Sequence, residues 1–130
     1  MGYHIVGYFS KEKHNNENNL SCILVMPFCQ RKGYGKFLIE FSYELSIKEG
    51  RSGSPEKPLS DLGHRSYVSW WTQRLLKELL ENEDKPLSIQ DLIQRTAIEA
   101  VDIIYVLENF KVLRYYQGNY ILYTEREFLL

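Results

Sequence analysis

Short apolar stretches at residues 4–9 and 20–25 flank a polar run, residues 11–19, that holds four asparagines. The pattern predicts two strands joined by a polar loop, a hairpin. Phe37, Leu38, Phe41 and Leu45 then recur at helical spacing, which predicts a helix over residues 34–49 that stops at Gly50. A glycine- and proline-containing loop, residues 50–58, leads to a second predicted helix over about residues 60–80. Its residues Tyr67, Trp71, Leu75 and Leu79 fall on one face and read as core. Asn82-Glu-Asp-Lys-Pro86 breaks the helical pattern, because proline cannot continue the helix before it.

Beyond the break, Ser88-Ile-Gln-Asp91 resembles a capping box, with Asp in place of Glu or Gln, and opens a helix through Arg95. A further helix is predicted over residues 99–109 with Ile103, Val106, Leu107 and Phe110 inward. Residues 112–116 and 120–124 then read as strands around Gln117-Gly118-Asn119, a hairpin turn. Helix, helix, hairpin is the winged-helix order. The expected organisation is therefore α+β, with one region over residues 1–82 and a winged-helix-like region over residues 86–130.

Composition narrows the class. The chain has 130 residues, 44% hydrophobic and 25% charged, enough for one ordinary domain or two very small ones. No apolar run approaches the roughly 18 residues of a membrane span, and the N-terminus has no export pattern, so an intracellular protein is expected. Cys22 and Cys29 are too few for a disulfide framework and form no CxxC motif. A net charge of −1 makes no electrostatic case for nucleic acid as the main partner. The helix over residues 99–109 has no Lys or Arg, whereas a DNA-reading helix needs cationic or amide side chains.

Three features point to chemistry. Gln30-Arg31-Lys32-Gly33-Tyr34-Gly35-Lys36 stands between a predicted strand and a helix. Glycines there turn backbone N–H groups toward one point, and the helix adds its positive end, a cradle for a pyrophosphate. The plainer reading is a tight strand-to-helix turn, and it is not a dinucleotide fingerprint, lacking the third glycine and the ribose-binding acid. Cys22 lies inside a strand, where a buried cysteine usually acts as a small hydrophobe. Glu56 lies between Pro55 and Pro58 in a stiffened loop, where aromatic helices could partly desolvate it into a general base. Its alternative is a solvated glutamate paired with Lys57.

The stretch from Gly7 to Gly63 resembles the MYST family of histone acetyltransferases. The resemblance rests on Gly7-Tyr-Phe-Ser-Lys-Glu-Lys13, Cys22-Ile-Leu24, Gln30-Arg31 with Gly33-Tyr-Gly-Lys-Phe-Leu-Ile39, Phe41-Ser-Tyr-Glu-Leu-Ser46 and Gly53-Ser-Pro-Glu-Lys-Pro-Leu-Ser-Asp-Leu-Gly63, in family order and spacing. Leu87-Ser-Ile89, Asp91-Leu92 and Asp102-Ile-Ile104 look like its C-terminal winged-helix region. The resemblance implies the C-terminal half of a GNAT-like acyltransferase core followed by a winged-helix-like region. It also implies acetyl transfer from acetyl-CoA to a lysine ε-amine of histone tails or another nuclear protein, in the nucleus and within a chromatin-modifying complex.

By the same resemblance, Glu56 is the catalytic base, and Cys22 is an acetyl acceptor or part of the site wall. Gln30, Arg31, Lys32, Gly33, Tyr34, Gly35 and Lys36 bind the cofactor, with Ile23, Leu24 and Val25 beside the pantetheine arm. Ser60 and Ser69 match positions near the cofactor, although Ser60 is also a good N-cap. Val25 stands where the family usually has threonine, and Met26 where leucine is common, but neither change removes a catalytic group. The family's zinc finger, upstream strands and autoacetylated lysine have no counterpart, and Cys22, Cys29, His4, His14 and His64 lack zinc-site spacing. No metal is therefore expected here, with zinc confined to an upstream segment. The chain is expected to be the C-terminal part of a catalytic domain that contacts acetyl-CoA but turns over little by itself. The competing expectation is a winged-helix module that binds DNA or a complex partner, with a degenerate acyltransferase half.

Overall fold

A computed structural model describes residues 2–14, 17–110, 113–116 and 119–122, the last two stretches as backbone only. Strands β1 (Gly7–Ser10) and β3 (Cys22–Val25) pair antiparallel, with Ser10 opposite Cys22 and Tyr8 opposite Leu24. Between them, β2 (Asn18–Leu20) pairs in parallel with the two-residue β4 (Ser54–Pro55). The expected strand over 20–25 thus divides at Ser21. Leu20 is 2% exposed and belongs to the β2–β4 pair, whereas Cys22 belongs to the hairpin with β1. Asn19, expected in the polar loop, is buried in β2.

Helix α1 (Tyr34–Glu49) and helix α2 (Asp61–Glu81) follow the predicted spans closely. The buried face of α1 differs from the one its phenylalanines suggested. Ile39, Ser42, Tyr43 and Ser46 are buried, while Phe37 and Phe41 are 61% and 47% exposed. Tyr43 decides the rotation, because its ring stacks on Trp70 at 4.6 Å and its hydroxyl accepts from Trp71 Nε1 at 2.8 Å. Small serines let the helix approach, with each hydroxyl bonded to its own helix's backbone. Phe41 instead meets Phe9 of β1 at 6.1 Å between ring centroids. The α2 stripe of Tyr67, Trp71, Leu75 and Leu79 is buried as expected.

Helix α2 ends before Pro86, and α3 (Ile89–Thr96) opens with the capping box complete on both sides. Helix α4 (Ala100–Asn109) buries Ile103, Val106 and Leu107. Phe110 is 40% exposed, contrary to its expected inward position, because it is the C-cap and lies off the helical face. Strands β5 (Leu113–Tyr116) and β6 (Asn119–Leu122) pair antiparallel. Gln117, Gly118, Val112 and residues 123–124, assigned by sequence to the turn and strands, lie outside the described residues.

One buried apolar cluster runs through α1, α2, α3 and α4, from Ile39 to Leu107. Buried Glu78 adds a polar tie. It accepts from Arg74 at 2.7 Å and faces Arg95 at 3.6 Å, joining α2 to the end of α3. The fold is mixed α+β, and none of its described helices is long and apolar enough to cross a membrane.

Candidate active site

Three segments converge where β2 meets β4. Leu20 C=O accepts from Glu56 N–H at 2.9 Å, so the loop carrying Glu56 is stitched to the strand that precedes Cys22. Cys22 follows Leu20 by about 7 Å of extended chain. On the other side, Gly53 N–H donates to Ala97 C=O at 2.9 Å, and Gly53 forms a parallel bridge with Ile98, in the turn between α3 and α4. Gly53 is required by this close approach. A Cβ there would lie 2.6 Å from Cβ of Asn19. Farther along the loop, Ser54 Oγ donates to Asp102 Oδ2 on α4 at 2.7 Å.

Cys22 is exposed, so the expectation of a buried strand cysteine is corrected. Its alternation with Ile23 turns it to the outer face with Leu24, while Ile23 packs on the core. Cys29 is the buried thiol. Glu56 is also exposed, contrary to the expected partial desolvation by aromatic helices. The β4 pairing sends the chain outward at that point, and the helical aromatics pack among themselves. Nor does Lys57 turn to Glu56. Its ammonium lies 5.5 Å from the Trp71 ring centroid, and its charge acts on Asp102 and Glu99. Lys57–Pro58 is cis.

Burial pushes the Asp102 carboxyl above its ordinary range, partly offset by the Ser54 hydrogen bond and by Lys57. Glu99 is raised by burial and by Asp102, and lowered by Lys57. Burial likewise raises the Tyr43 hydroxyl, against the hydrogen bond from Trp71.

The glycine-containing turn begins where β3 ends. Gln30 Nε2 donates to Val25 C=O at 3.2 Å, after the single 3₁₀ turn Pro27–Cys29. Arg31 and Gly33 both take left-handed conformations, φ 65° and 90°, the second at the N-cap of α1. The first turn of α1 has no side-chain cap and no acidic residue. Its free N–H groups therefore stand beside exposed Arg31, Lys32 and Lys36, with Tyr34 38% exposed. Uncapped N–H groups, positive helix end and three cations suit a pyrophosphate.

Ser60 serves as the N-cap of α2, its hydroxyl accepting from Gly63 N–H at 3.0 Å. Ser69 is exposed two turns on, lining a groove of about 420 Å³ with Val68, Thr72 and Phe110. The β3 segment thus leads directly into the glycine turn, the Glu56 loop is tied separately to Leu20, and Ser69 lies in the N-terminal half of α2. Sequence reasoning missed Ser54 and Asp102. The available signal was an acid four residues before Val106, on the face that α4 buries.

Comparison with known proteins adds a family. The model of the MOZ/SAS family matches residues 1–130. The chain is similar to histone acetyltransferase of the MYST family 2 of Arabidopsis thaliana, 52% identical over 129 residues, 98% of this chain and 29% of the relative. It is also similar to histone acetyltransferase ESA1 of Eremothecium gossypii, 49% identical over 131 residues, 100% of this chain and 30% of the relative. The histone acetyltransferase Tip60 homolog of Caenorhabditis elegans is 49% identical over 131 residues, 97% of this chain and 29% of the relative. The chain spans under a third of the length of each.

Proposed function

The chain belongs to the MOZ/SAS family, and from that membership we propose that the protein carrying it is a histone acetyltransferase. It transfers acetyl from acetyl-CoA to a lysine ε-amine, with Glu56 as general base. Residues 1–82 act as the acetyl-CoA-binding part of a GNAT-like core, and residues 86–130 as a winged-helix-like support. Histone tails are the substrate, in the nucleus and within a chromatin-modifying complex. The observation that carries this reading is the bond from Glu56 N–H to Leu20 C=O, which draws the base loop to the strand leading into Cys22.

Gln30, Arg31, Lys32, Gly33, Tyr34, Gly35 and Lys36 hold the pyrophosphate at the start of α1, with Ile23, Leu24 and Val25 alongside the pantetheine arm. Acetyl-CoA, when bound, supplies the thioester carbonyl. A substrate lysine, with an ordinary pKa near 10.4, is charged at neutral pH and cannot attack until it loses a proton. Glu56 accepts that proton on its carboxylate. Its exposure leaves it open to an incoming peptide, and Lys57 is turned to Trp71. Cys22, exposed on the outer face of β3, serves as acetyl acceptor or as part of the site wall.

Less supports the winged-helix binding module. Helix α4 carries no Lys or Arg to meet phosphates or base edges, and its Asp102 is spent inside the fold on Ser54. The test is Glu56→Gln in the full-length protein, assayed on histone peptides at neutral pH. Turnover should fall by about 100-fold or more, the usual contribution of a general base. A rate equal to wild type would overturn the assignment.

A further inference from the structure

We infer that Asp102 on α4, acting through Ser54, is the positioning residue that aims Glu56, so that the C-terminal helices set the geometry of the base. The inference rests on the reading of Glu56 as base. Four contacts carry it. Ser54 Oγ donates to Asp102 Oδ2 at 2.7 Å, two residues before Glu56. Gly53 N–H is bonded to Ala97 C=O, at the turn into α4. Glu56 N–H is bonded to Leu20 C=O, so the loop is gripped from both sides. Lys57, immediately after Glu56, lies over Trp71 of α2 and is drawn by Asp102 and Glu99.

Each contact removes one freedom of the loop. The Leu20 bond places the backbone of Glu56, the Ser54–Asp102 bond sets the strand before it, and Lys57 takes the following side chain away from the site. Asp102 is 6% exposed, and a carboxylate is not kept at that depth without a partner. Its partners come from the loop, not from its own helix. The groups that face it are Lys57 and Ser54 from the loop, Glu99 from the N-cap of α4, and Tyr43 and Tyr67 from the two long helices.

The test uses the full-length protein with Ser54→Ala, Ser54→Thr, Glu56→Gln and the Ser54→Ala/Glu56→Gln pair. Ser54→Ala should lower kcat by about tenfold, the loss of one hydrogen bond to a charged group. The KM for acetyl-CoA should stay within about twofold, because the glycine turn is separate from this loop, a split that follows from where the loss occurs. Ser54→Thr keeps the hydroxyl and should restore kcat.

In the Glu56→Gln background, Ser54→Ala should add no further loss, because there is no base left to misplace. The wild-type deficit of Ser54→Ala should also shrink from pH 7 to pH 9, as more substrate amine becomes neutral without help. Wild-type kcat in Ser54→Ala, a full multiplicative loss in the double variant, or a deficit unchanged with pH would each overturn the positioning role. A fully active Glu56→Gln protein is a separate result that removes the base assignment itself.

Discussion

At the scale of single residues, the outcome turns on which way a side chain faces. Cys22 and Cys29 are seven positions apart, and both look like strand or turn cysteines, yet one is exposed and the other is 7% exposed. The reason is pairing parity. Cys22 sits opposite Ser10 on the solvent face of the β1–β3 hairpin, and its inward neighbour Ile23 takes the core position. Native protein treated with a thiol reagent should therefore label Cys22 rapidly and Cys29 only after denaturation, read by mass spectrometry of the peptides. Equal labelling of both in the native state would contradict this placement. Exposure also separates Glu56 from its expected environment. In its proposed role as base it relies on accessibility and on Lys57 turning to Trp71, not on burial.

At the scale of elements, periodicity located the helices and missed what their faces meet. The α2 stripe was legible because four large apolar residues recur at one spacing and all enter the core. The buried face of α1 was not, because Ser42 and Ser46 look polar and Phe37 and Phe41 look like core. Packing against Trp70 and Trp71 settled it. Helix α4 carries Asp102 into the interior, and this has a pH consequence. Asp102 and Glu99 both have raised carboxyl pKa values in the fold, chiefly through burial. Protonation therefore favours the folded state, an effect complete below the ordinary carboxylate range near pH 4 and lost as pH rises through the raised values. In melting temperatures measured from pH 4 to 7, Asp102→Asn should gain on wild type as pH increases. A constant difference across that range would show that Asp102 carries no such penalty.

At the scale of the whole molecule, the junction at Gly53 ties the two parts of the chain together. Gly53 reaches Asn19 of β2 on one side and Ala97 and Ile98 on the other, and a methyl group there would lie 2.6 Å from Asn19 Cβ. The nearest of these atoms is the first side-chain carbon of Asn19, fixed by the backbone of β2, so rotation of the side chain cannot relieve that contact. Gly53→Ala should lower stability by about 1–3 kcal/mol, the usual cost of overpacking, measured by urea unfolding. It should also reduce turnover more than acetyl-CoA binding, because the displaced loop carries Glu56 and the glycine turn lies elsewhere. An Ala variant of wild-type stability would place the junction differently.

The sequence by itself determined the helix spans, the capping box, the α2 stripe, the break before Pro86, and the glycine turn with its cations. These are local, carried by residue type and spacing within one or two turns of chain. Only the tertiary structure decided the split at Ser21, the burial of Asn19, the outward turn of Cys22 and Glu56, and the Ser54–Asp102 bond. Each of these depends on a partner in another segment, 12 residues away for Cys22 and farther for the rest, and no periodicity within a segment encodes which distant backbone will claim its hydrogen bonds.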